Sequence, residues 1–264
     1  MRLRSLAAAL LAVTAVVFGS TAMPATAVAA PDPPPSDTGV VQPAIVGGTP
    51  APAYSFMASL QNLAGGHFCG ASVVHPNWAV TARHCVLGAA PGSMQVRVGS
   101  NNRTSGGVVV SVTSVNTHPS YDLAMIGLTA VPAAYGPVVI AANSGPVGTF
   151  TRILGWGQTC PSPSGCVPSA PTQLQQLNTQ IVADAGCLGI IGAVEICTSN
   201  PGGTAGACYG DSGGPQIKSV GGAWQLIGAT SRSGGGSTCA VNPSIYVDVP
   251  ALRPWIQGVT GLPL

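Results

Sequence analysis

The stretch that most constrains this chain runs from Cys208 to Pro215 and reads CYGDSGGP. It places Ser212 among three glycines, directly after Asp211. Glycine adopts backbone conformations that are closed to other residues and lets a substrate approach the main chain. A serine hydroxyl is a weak nucleophile unless a base takes its proton. A fold that uses Ser212 chemically must therefore bring a base, and a group that orients this base, to the glycine-rich turn.

Two arrangements of a nucleophilic serine fit this stretch. Gly210 to Gly214 satisfies the G-x-S-x-G pattern of an α/β-hydrolase elbow, in which the histidine follows the serine along the chain. The other arrangement has the chain order His, Asp, Ser. Four histidines are present and all precede the serine: His67, His75, His84 and His118. The order counts against an α/β-hydrolase esterase, and a glycine-rich turn with a buried, inactive serine is the purely structural alternative.

The composition favours a fold of many short strands. Of 264 residues, 46% are hydrophobic and only 6% are charged, with 36 Gly and 24 Pro, which suits strands joined by turns around a sizeable core. The net charge is +2 without a run of Lys or Arg, so nothing favours nucleic acid or an anionic membrane as a partner. Eight cysteines indicate disulfides and an oxidising compartment, and they allow 105 pairings.

Residues 1–29 have the layout of a secretory signal peptide. Arg2 and Arg4 precede an apolar run from Ser5 to Gly19, and Ala27-Val28-Ala29 offers small residues for cleavage. A membrane anchor is the alternative, but the apolar run is short for a span. We therefore expect secretion to the cell exterior, with no membrane attachment after signal removal. Residues 30–44 are proline-rich and are expected to form an extended pro-segment.

Four motifs resemble those of the trypsin/chymotrypsin-like secreted serine proteases, of the bacterial type, and follow the family's order. They are IVGG from Ile45, WAVTARHC ending at Cys85, HPSYDLAMI from His118 and the serine motif. The resemblance implies an all-β fold of two packed six-stranded antiparallel β-barrels with a short C-terminal helix. The implied protease domain is 45–264, with barrels at about 45–150 and 151–250.

The resemblance also implies the catalytic roles. Ser212 is the nucleophile, His84 the general base and Asp122 the carboxylate that orients His84, while the N–H groups of Gly210 and Ser212 form the oxyanion hole. Neither a metal nor an organic cofactor is implied. The expected reaction is peptide-bond hydrolysis through an acyl-enzyme, and the alternative is a non-catalytic secreted homologue that acts as a binding protein.

In this family a precursor is cut before IVGG, and the freed amino group pairs with the aspartate beside the serine. The pair implied here is Ile45 with Asp211, because a buried carboxylate needs a positive partner or it takes up a proton. The residue before the cut is Ala44 and not Lys or Arg, so a trypsin-type protease is not expected to activate the precursor.

The resemblance implies that the specificity pocket is uncharged and narrow. Gly206 takes the position at its bottom where an aspartate would select Arg or Lys, and Ser231, Ser233 and Ser244 form its walls. We expect a preference for small or medium uncharged side chains, which is elastase-like or chymotrypsin-like. The expected partners are protein or peptide substrates and protein inhibitors of proteases, and the chain is expected to act as a monomer.

The resemblance selects three disulfides and leaves the fourth by subtraction. The pairs are Cys69–Cys85, Cys187–Cys197, Cys208–Cys239 and, remaining, Cys160–Cys166.

Overall fold

The computed structural model describes residues 45–166 and 170–264, so the expected signal peptide and pro-segment lie outside the described residues. This part of the chain belongs to one compact unit, Val40–Leu264. Its strands are β1 (Thr49–Pro50), β2 (Met57–Asn62), β3 (His67–His75), β4 (Trp78–Thr81), β5 (Met94–Val98), β6 (Val108–Thr117), β7 (Ala124–Leu128), β8 (Val139–Ile140), β9 (Phe150–Gly155), β10 (Gln175–Gln180), β11 (Glu195–Thr198), β12 (Pro215–Val220), β13 (Ala223–Ser233) and β14 (Ser244–Asp248). The α-helices are α1 (Arg83–Val86) and α2 (Arg253–Thr260).

Six strands of the first half form a closed barrel in the order β2-β3-β4-β7-β6-β5. In β5, buried and partly exposed residues alternate, because successive side chains of a strand point to opposite faces. Met94, Val96 and Val98 are buried, whereas Gln95 and Arg97 are partly exposed. β7 is buried along its whole length, as is expected of a strand covered on both faces.

The second half forms a sheet in the order β1-β10-β9-β12-β13-β14-β11, with β8 paired to β13. An isolated antiparallel bridge between Ile181 and Thr198 joins the chain just after β10 to β11. The main-chain hydrogen bonds from Val182 N to Cys197 O (2.9 Å) and from Ser199 N to Gln180 O (2.9 Å) flank this bridge. The bridge therefore brings together the two ends of the six-strand run from β10 to β11. The expected all-β, chymotrypsin-like fold is confirmed.

The short C-terminal helix expected from the sequence is also present. Pro250–Leu252 form a 3₁₀ turn, and α2 begins at Arg253 and ends at Thr260, where Gly261 adopts a left-handed conformation (φ 69°). Ile256 is fully buried and attaches the helix to the core. Among the residues that the structure describes, no helix combines the length and apolarity needed to cross a membrane.

All eight cysteines are paired: Cys69–Cys85, Cys160–Cys166, Cys187–Cys197 and Cys208–Cys239. These are the four pairs that the resemblance and subtraction give. The sequence separations are 16, 6, 10 and 31 residues respectively. Because a cross-link restricts the unfolded chain more when it closes a longer loop, the four bonds should differ in their effect on stability.

We predict that removing Cys160–Cys166 by paired Cys→Ala substitution lowers the free energy of unfolding by about 2 kcal/mol, against about 4 kcal/mol for Cys208–Cys239. Equilibrium unfolding in urea measures both. An equal or reversed pair of values would show that loop closure does not set the order.

Candidate active site

The register of two barrel strands brings His84 and Asp122 together. Thr81, the last residue of β4, pairs with Ala124, the first residue of β7. His84 follows three residues after Thr81, and Asp122 lies two residues before Ala124, so both emerge at the same end of the strand pair. His84 Nδ1 donates to Asp122 Oδ2 at 2.8 Å, and the His84 main-chain N–H donates to Oδ1 at 2.9 Å. Both carboxylate oxygens therefore bind the histidine.

The surroundings of Asp122 keep it ionised. Burial alone would raise its pKa, but hydrogen bonds from the His84 ring, the Ser231 hydroxyl and the His84 backbone outweigh burial and place the pKa below its ordinary value. The Ser231 Oγ–H donates to Oδ2 at 2.7 Å. A carboxylate that accepts several hydrogen bonds is held in its charged form. Asp122 can therefore fix the ring orientation of His84 and favour its imidazolium.

The first barrel holds the loop that carries Ser212. The Gly70 N–H of β3 donates to the Ser212 carbonyl at 2.7 Å, and the Gly213 N–H donates to the Thr230 carbonyl of β13 at 2.8 Å. Gly213 has φ +74°, and a Cβ there would lie 2.3 Å from Thr81 Oγ1. Only glycine allows this conformation and this approach.

His84 and Ser212 line the same cavity, which has a volume of about 430 Å³. Within the described residues no hydrogen bond joins the His84 ring to the Ser212 hydroxyl. A long catalytic hydrogen bond is common in an enzyme without substrate and does not exclude the pair.

Two main-chain donors beside Ser212 are free in the described part of the chain. Neither the Gly210 N–H nor the Ser212 N–H donates to another protein group there. Gly210 has φ +97°, and its carbonyl contacts His67 Nε2 at 3.0 Å. Burial lowers the pKa of His67 to about 4 despite the opposing Gly210 hydrogen bond. The ring is therefore neutral, so Nε2 carries the proton that the carbonyl accepts, and Nδ1 accepts from Ser59 Oγ at 2.8 Å.

Asp211 is buried without a positive partner among the described residues. Its side chain is 1% exposed, and it accepts the Gly157 N–H (2.8 Å) and the Cys208 N–H (2.9 Å). Burial raises its pKa from 3.8 to about 7, and the two backbone hydrogen bonds only partly oppose the shift. Ile45 is 1% exposed, and its nitrogen is a peptide nitrogen in the intact chain. The pair with Asp211 is expected only after cleavage before Ile45, so it stays a prediction for the processed form.

The cavity contains the three predicted wall residues, Ser231, Ser233 and Ser244. Gly206, expected at the bottom of the pocket, is not among the residues that line the cavity, although a Cβ on it would be 3.7 Å from Ser244 Oγ and 3.6 Å from Ala240 Cα. No Asp or Glu side chain lines the cavity in the described part of the chain. Arg232 also lines the cavity, and its guanidinium is bound by Glu195, which does not line it.

One group of metal-type side chains occurs among the described residues, Cys69, His84 and Cys85. The two sulfurs form a disulfide, and a disulfide offers no thiolate to a metal ion. These residues therefore do not form a metal centre.

Sequence reasoning missed three contacts around the cavity. The first is the His67–Gly210 hydrogen bond, and the second runs from the Tyr209 hydroxyl to the Ser237 carbonyl at 2.8 Å. The third is the ion pair of Arg232 with Glu195, the only glutamate of the chain. The rarity of charged residues could have indicated the Arg232–Glu195 pair. Only 6% of the chain is charged, and a carboxylate that is buried in a strand needs a cation to balance its charge.

Comparisons with known proteins agree with this geometry. The Trypsin family model matches residues 45–256. The chain belongs to the trypsin family. It is 34% identical over 233 residues to trypsin delta of Drosophila melanogaster, and the matched region covers 80% of this chain and 87% of the relative. It is 36% identical to trypsin alpha of Drosophila erecta (80% and 86%) and 32% identical to trypsin 5G1 of Aedes aegypti (83% and 85%).

Membership identifies this trypsin-family protein as a serine endopeptidase, a hydrolase that acts on proteins. Family membership favours the interpretation as an enzyme over that as a non-catalytic binding homologue. The relatives named here are insect proteins, so the expectation of a bacterial type finds no support among them.

We predict that the Asp211 carboxyl group makes the uncut chain less stable as the pH rises from about 4 to about 7. The folded pKa is about 7 and the ordinary value is 3.8. The folded state therefore binds more protons between these values, and stability falls as the pH rises through them. Thermal unfolding of the Ser212→Ala full chain, shown by mass spectrometry to be intact, is compared with Ser212→Ala/Asp211→Asn.

The comparison is needed because His67 acts in the opposite direction. Its folded pKa of about 4 lies below the ordinary 6.5, so its contribution to stability rises with pH over part of the same range. The difference between the two variants isolates Asp211. The asparagine variant should lack the fall and carry a constant offset from its altered hydrogen bonds, whereas parallel profiles would mean that a cation already neutralises Asp211.

Proposed function

We propose that this protein is a secreted endopeptidase made as an inactive precursor. Cleavage before Ile45 activates it, and Ser212, His84 and Asp122 then hydrolyse peptide bonds after small or medium uncharged residues. The observation that carries the proposal is the pair of hydrogen bonds from His84 to Asp122, with His84 lining a cavity that Ser212 also lines.

In the proposed reaction Ser212 Oγ attacks the scissile carbonyl carbon while His84 Nε2 takes the hydroxyl proton. His84 then gives this proton to the leaving amine, and water releases the acyl group by the same steps. Asp122 holds the Nδ1–H, so that Nε2 faces the serine as a base. The free N–H groups of Gly210 and Ser212 would receive the oxyanion, and each such donor contributes about 3 kcal/mol to the barrier reduction.

The buried state of Asp211 supports the activation step. A carboxylate with a pKa of about 7 gains strongly from a nearby ammonium group. Ile45 is already buried in an apolar cluster with Ile153 and Tyr246, and the adjacent Val46 carbonyl accepts the Gly206 N–H at 2.9 Å. Cutting before Ile45 would supply an ammonium group to the segment that is anchored beside the pocket.

The lining of the cavity supports the substrate preference. A Lys or Arg side chain in this pocket would be buried without an anionic partner, which is costly. The relatives are named trypsins, but Gly206 here offers no carboxylate. Ser233 and Ser244 narrow the space for a large aromatic ring. We also propose that the processed enzyme is a monomer and that protein inhibitors of proteases bind the same cavity.

A fluorophosphonate probe tests the catalytic assignment. The processed protein, shown by N-terminal sequencing to begin at Ile45, should label at Ser212. His84→Ala should lower the rate of labelling and of peptide hydrolysis by roughly 10⁴-fold or more, because the serine loses its base.

His75→Ala is the matched control, since His75 ends β3 and its ring accepts the Asn77 main-chain N–H, away from the cavity lining. This control should stay within about 2-fold of the unaltered protein. Absence of labelling in the processed form, or equal losses in the two variants, would contradict the assignment.

A peptide library that varies the residue before the cleaved bond tests the pocket. We expect Ala, Val and Leu to exceed both Phe and Arg. Ser244→Gly should raise the rate on Phe relative to Ala by about 10-fold, which is the scale of one small group in a pocket. Ser164→Gly, outside the cavity, should leave the ratio unchanged. Dominance of Arg or Lys would refute the uncharged pocket.

A further inference from the structure

A second ion pair lies beside the active site, and its cation, Arg232, lines the cavity. Arg232 binds Glu195 through both nitrogens, Nη1 to Oε1 at 2.6 Å and Nη2 to Oε2 at 2.8 Å. The Glu195 side chain is only 4% exposed, against 40% for Arg232. Bidentate pairing fixes the plane of the guanidinium as well as its position.

The sheet fixes this pair from both sides of one strand. Glu195 of β11 and Arg232 of β13 both flank β14, where they oppose Val247 and Ile245 respectively. Further contacts come from the loop before β11. Glu195 Oε2 accepts the Ile191 N–H at 2.7 Å, and Arg232 Nη2 donates to the Gly189 carbonyl at 2.9 Å. The guanidinium is therefore held at both of its terminal nitrogens, Nη1 and Nη2.

Ser231, the residue before Arg232, forms a bulge in β13. Thr230 opposes Tyr246 and Arg232 opposes Ile245, so Ser231 has no opposing residue. A bulge turns a side chain away from the regular alternation of the strand. The Ser231 hydroxyl thereby reaches Asp122 Oδ2 at 2.7 Å, while Arg232 Nη1 lies 3.3 Å from the same hydroxyl oxygen.

The donor and acceptor capacities of Arg232, Ser231 and Asp122 allow only one direction for the hydrogen bonds that link them. A guanidinium can only donate, an ionised carboxylate can only accept, and a hydroxyl has one proton with which to donate. Arg232 therefore donates to Ser231, and the single Ser231 proton goes to Asp122. Because an existing donation polarises the hydroxyl, its own hydrogen bond to Asp122 is strengthened.

We propose that Arg232, fixed by Glu195, is a positioning residue for catalysis that acts through Ser231. It holds the Ser231 hydroxyl in the orientation that donates to Asp122, and so fixes the carboxylate that orients His84. The inference rests on the proposed function of Ser212, His84 and Asp122.

Other charged and titratable groups near this carboxylate come from different segments. Arg83, next to His84, donates to the Pro119 carbonyl at 3.3 Å. Burial, and secondarily the charge of Arg83, lowers the pKa of His118, whose Nδ1 accepts the main-chain N–H groups of Ser120 and Tyr121. None of these groups donates to the Ser231 hydroxyl, and Arg232 is the one donor to it among the described residues.

A double-mutant cycle tests the proposal. Its first arm is Ser231→Ala, and its second is Arg232→Met/Glu195→Gln, which removes both charges and leaves no buried carboxylate unpaired. The measurement is the rate of Ser212 labelling by a small fluorophosphonate, which has no peptide that could contact Arg232. We expect Ser231→Ala to slow labelling by about 10-fold, as for loss of one hydrogen bond. The second arm should slow it by about 3-fold to 10-fold, and the triple variant should match Ser231→Ala alone because both arms act on one contact.

The pH profile of labelling provides a readout that a packing role would not change. Loss of the Ser231 hydrogen bond leaves more negative charge on Asp122, which favours the His84 imidazolium. The acid limb should therefore move to higher pH by roughly half a unit in each arm, and no further in the triple variant. Thermal unfolding confirms that each variant is folded. Arg97→Met, which removes a cation of β5 that contacts the Gly106 carbonyl, is the control and should change neither rate nor profile.

The outcomes separate this inference from the function on which it rests. If the unaltered processed protein does not label, the proposed function fails. If it labels but the two arms multiply in the triple variant, or the acid limb stays in place, Arg232 does not act through Ser231. An effect confined to peptide substrates would also overturn the proposal, because Arg232 would then act on the substrate directly.

Discussion

The antiparallel register between β4 and β7 is the constraint on which the site depends. Thr81 opposes Ala124, so the segment that leaves β4 and the segment that enters β7 start from adjacent points. A one-residue slip would turn every side chain of the strand to the other face. It would exchange Ala124 and Ile126, which pack in one core cluster, with Met125, which packs in another, and so disrupt the packing on both buried faces of β7. The hydrophobic core of the barrel therefore sets the His84–Asp122 distance, although neither residue belongs to it.

Ser212 reaches this pair because the two halves of the chain approach at glycines. A Cβ on Gly70 of β3 would lie 2.7 Å from Gly214 Cα, and the Gly70 N–H binds the Ser212 carbonyl. The same loop is held by β13 through Thr230, whose carbonyl accepts the Gly213 N–H. The serine is thus fixed by main-chain contacts from both halves, and its side chain remains free to face the cavity.

Local motifs in the sequence were enough to predict the fold class and the residues that meet at the cavity, because a serine among three glycines and a His-Cys pair, found together in this order, are specific to few folds. The position of all four histidines before Ser212 counted against an α/β-hydrolase. Contacts that depend on register across several strands could not be predicted in the same way. The Arg232–Glu195 pair needs β11, β14 and β13 side by side, and the Ser231 bulge needs the pairing of β13 with β14. Neither leaves a short-range pattern in the sequence.

Two buried carboxylates near the cavity show how the same physical cost can have opposite consequences. Glu195 has a permanent cation, Arg232, supplied by a neighbouring strand, so it is neutralised as soon as the sheet forms. Asp211 lies against Gly157 and Cys208, and burial raises its pKa to about 7, with no cation among the described residues to balance its charge. A carboxylate paired within the sheet can serve as a fixed support, and one left without a cation makes its loop sensitive to the arrival of a positive group. Because Asp211 immediately precedes Ser212, that sensitivity lies on the segment whose main-chain N–H groups must be set before catalysis can begin.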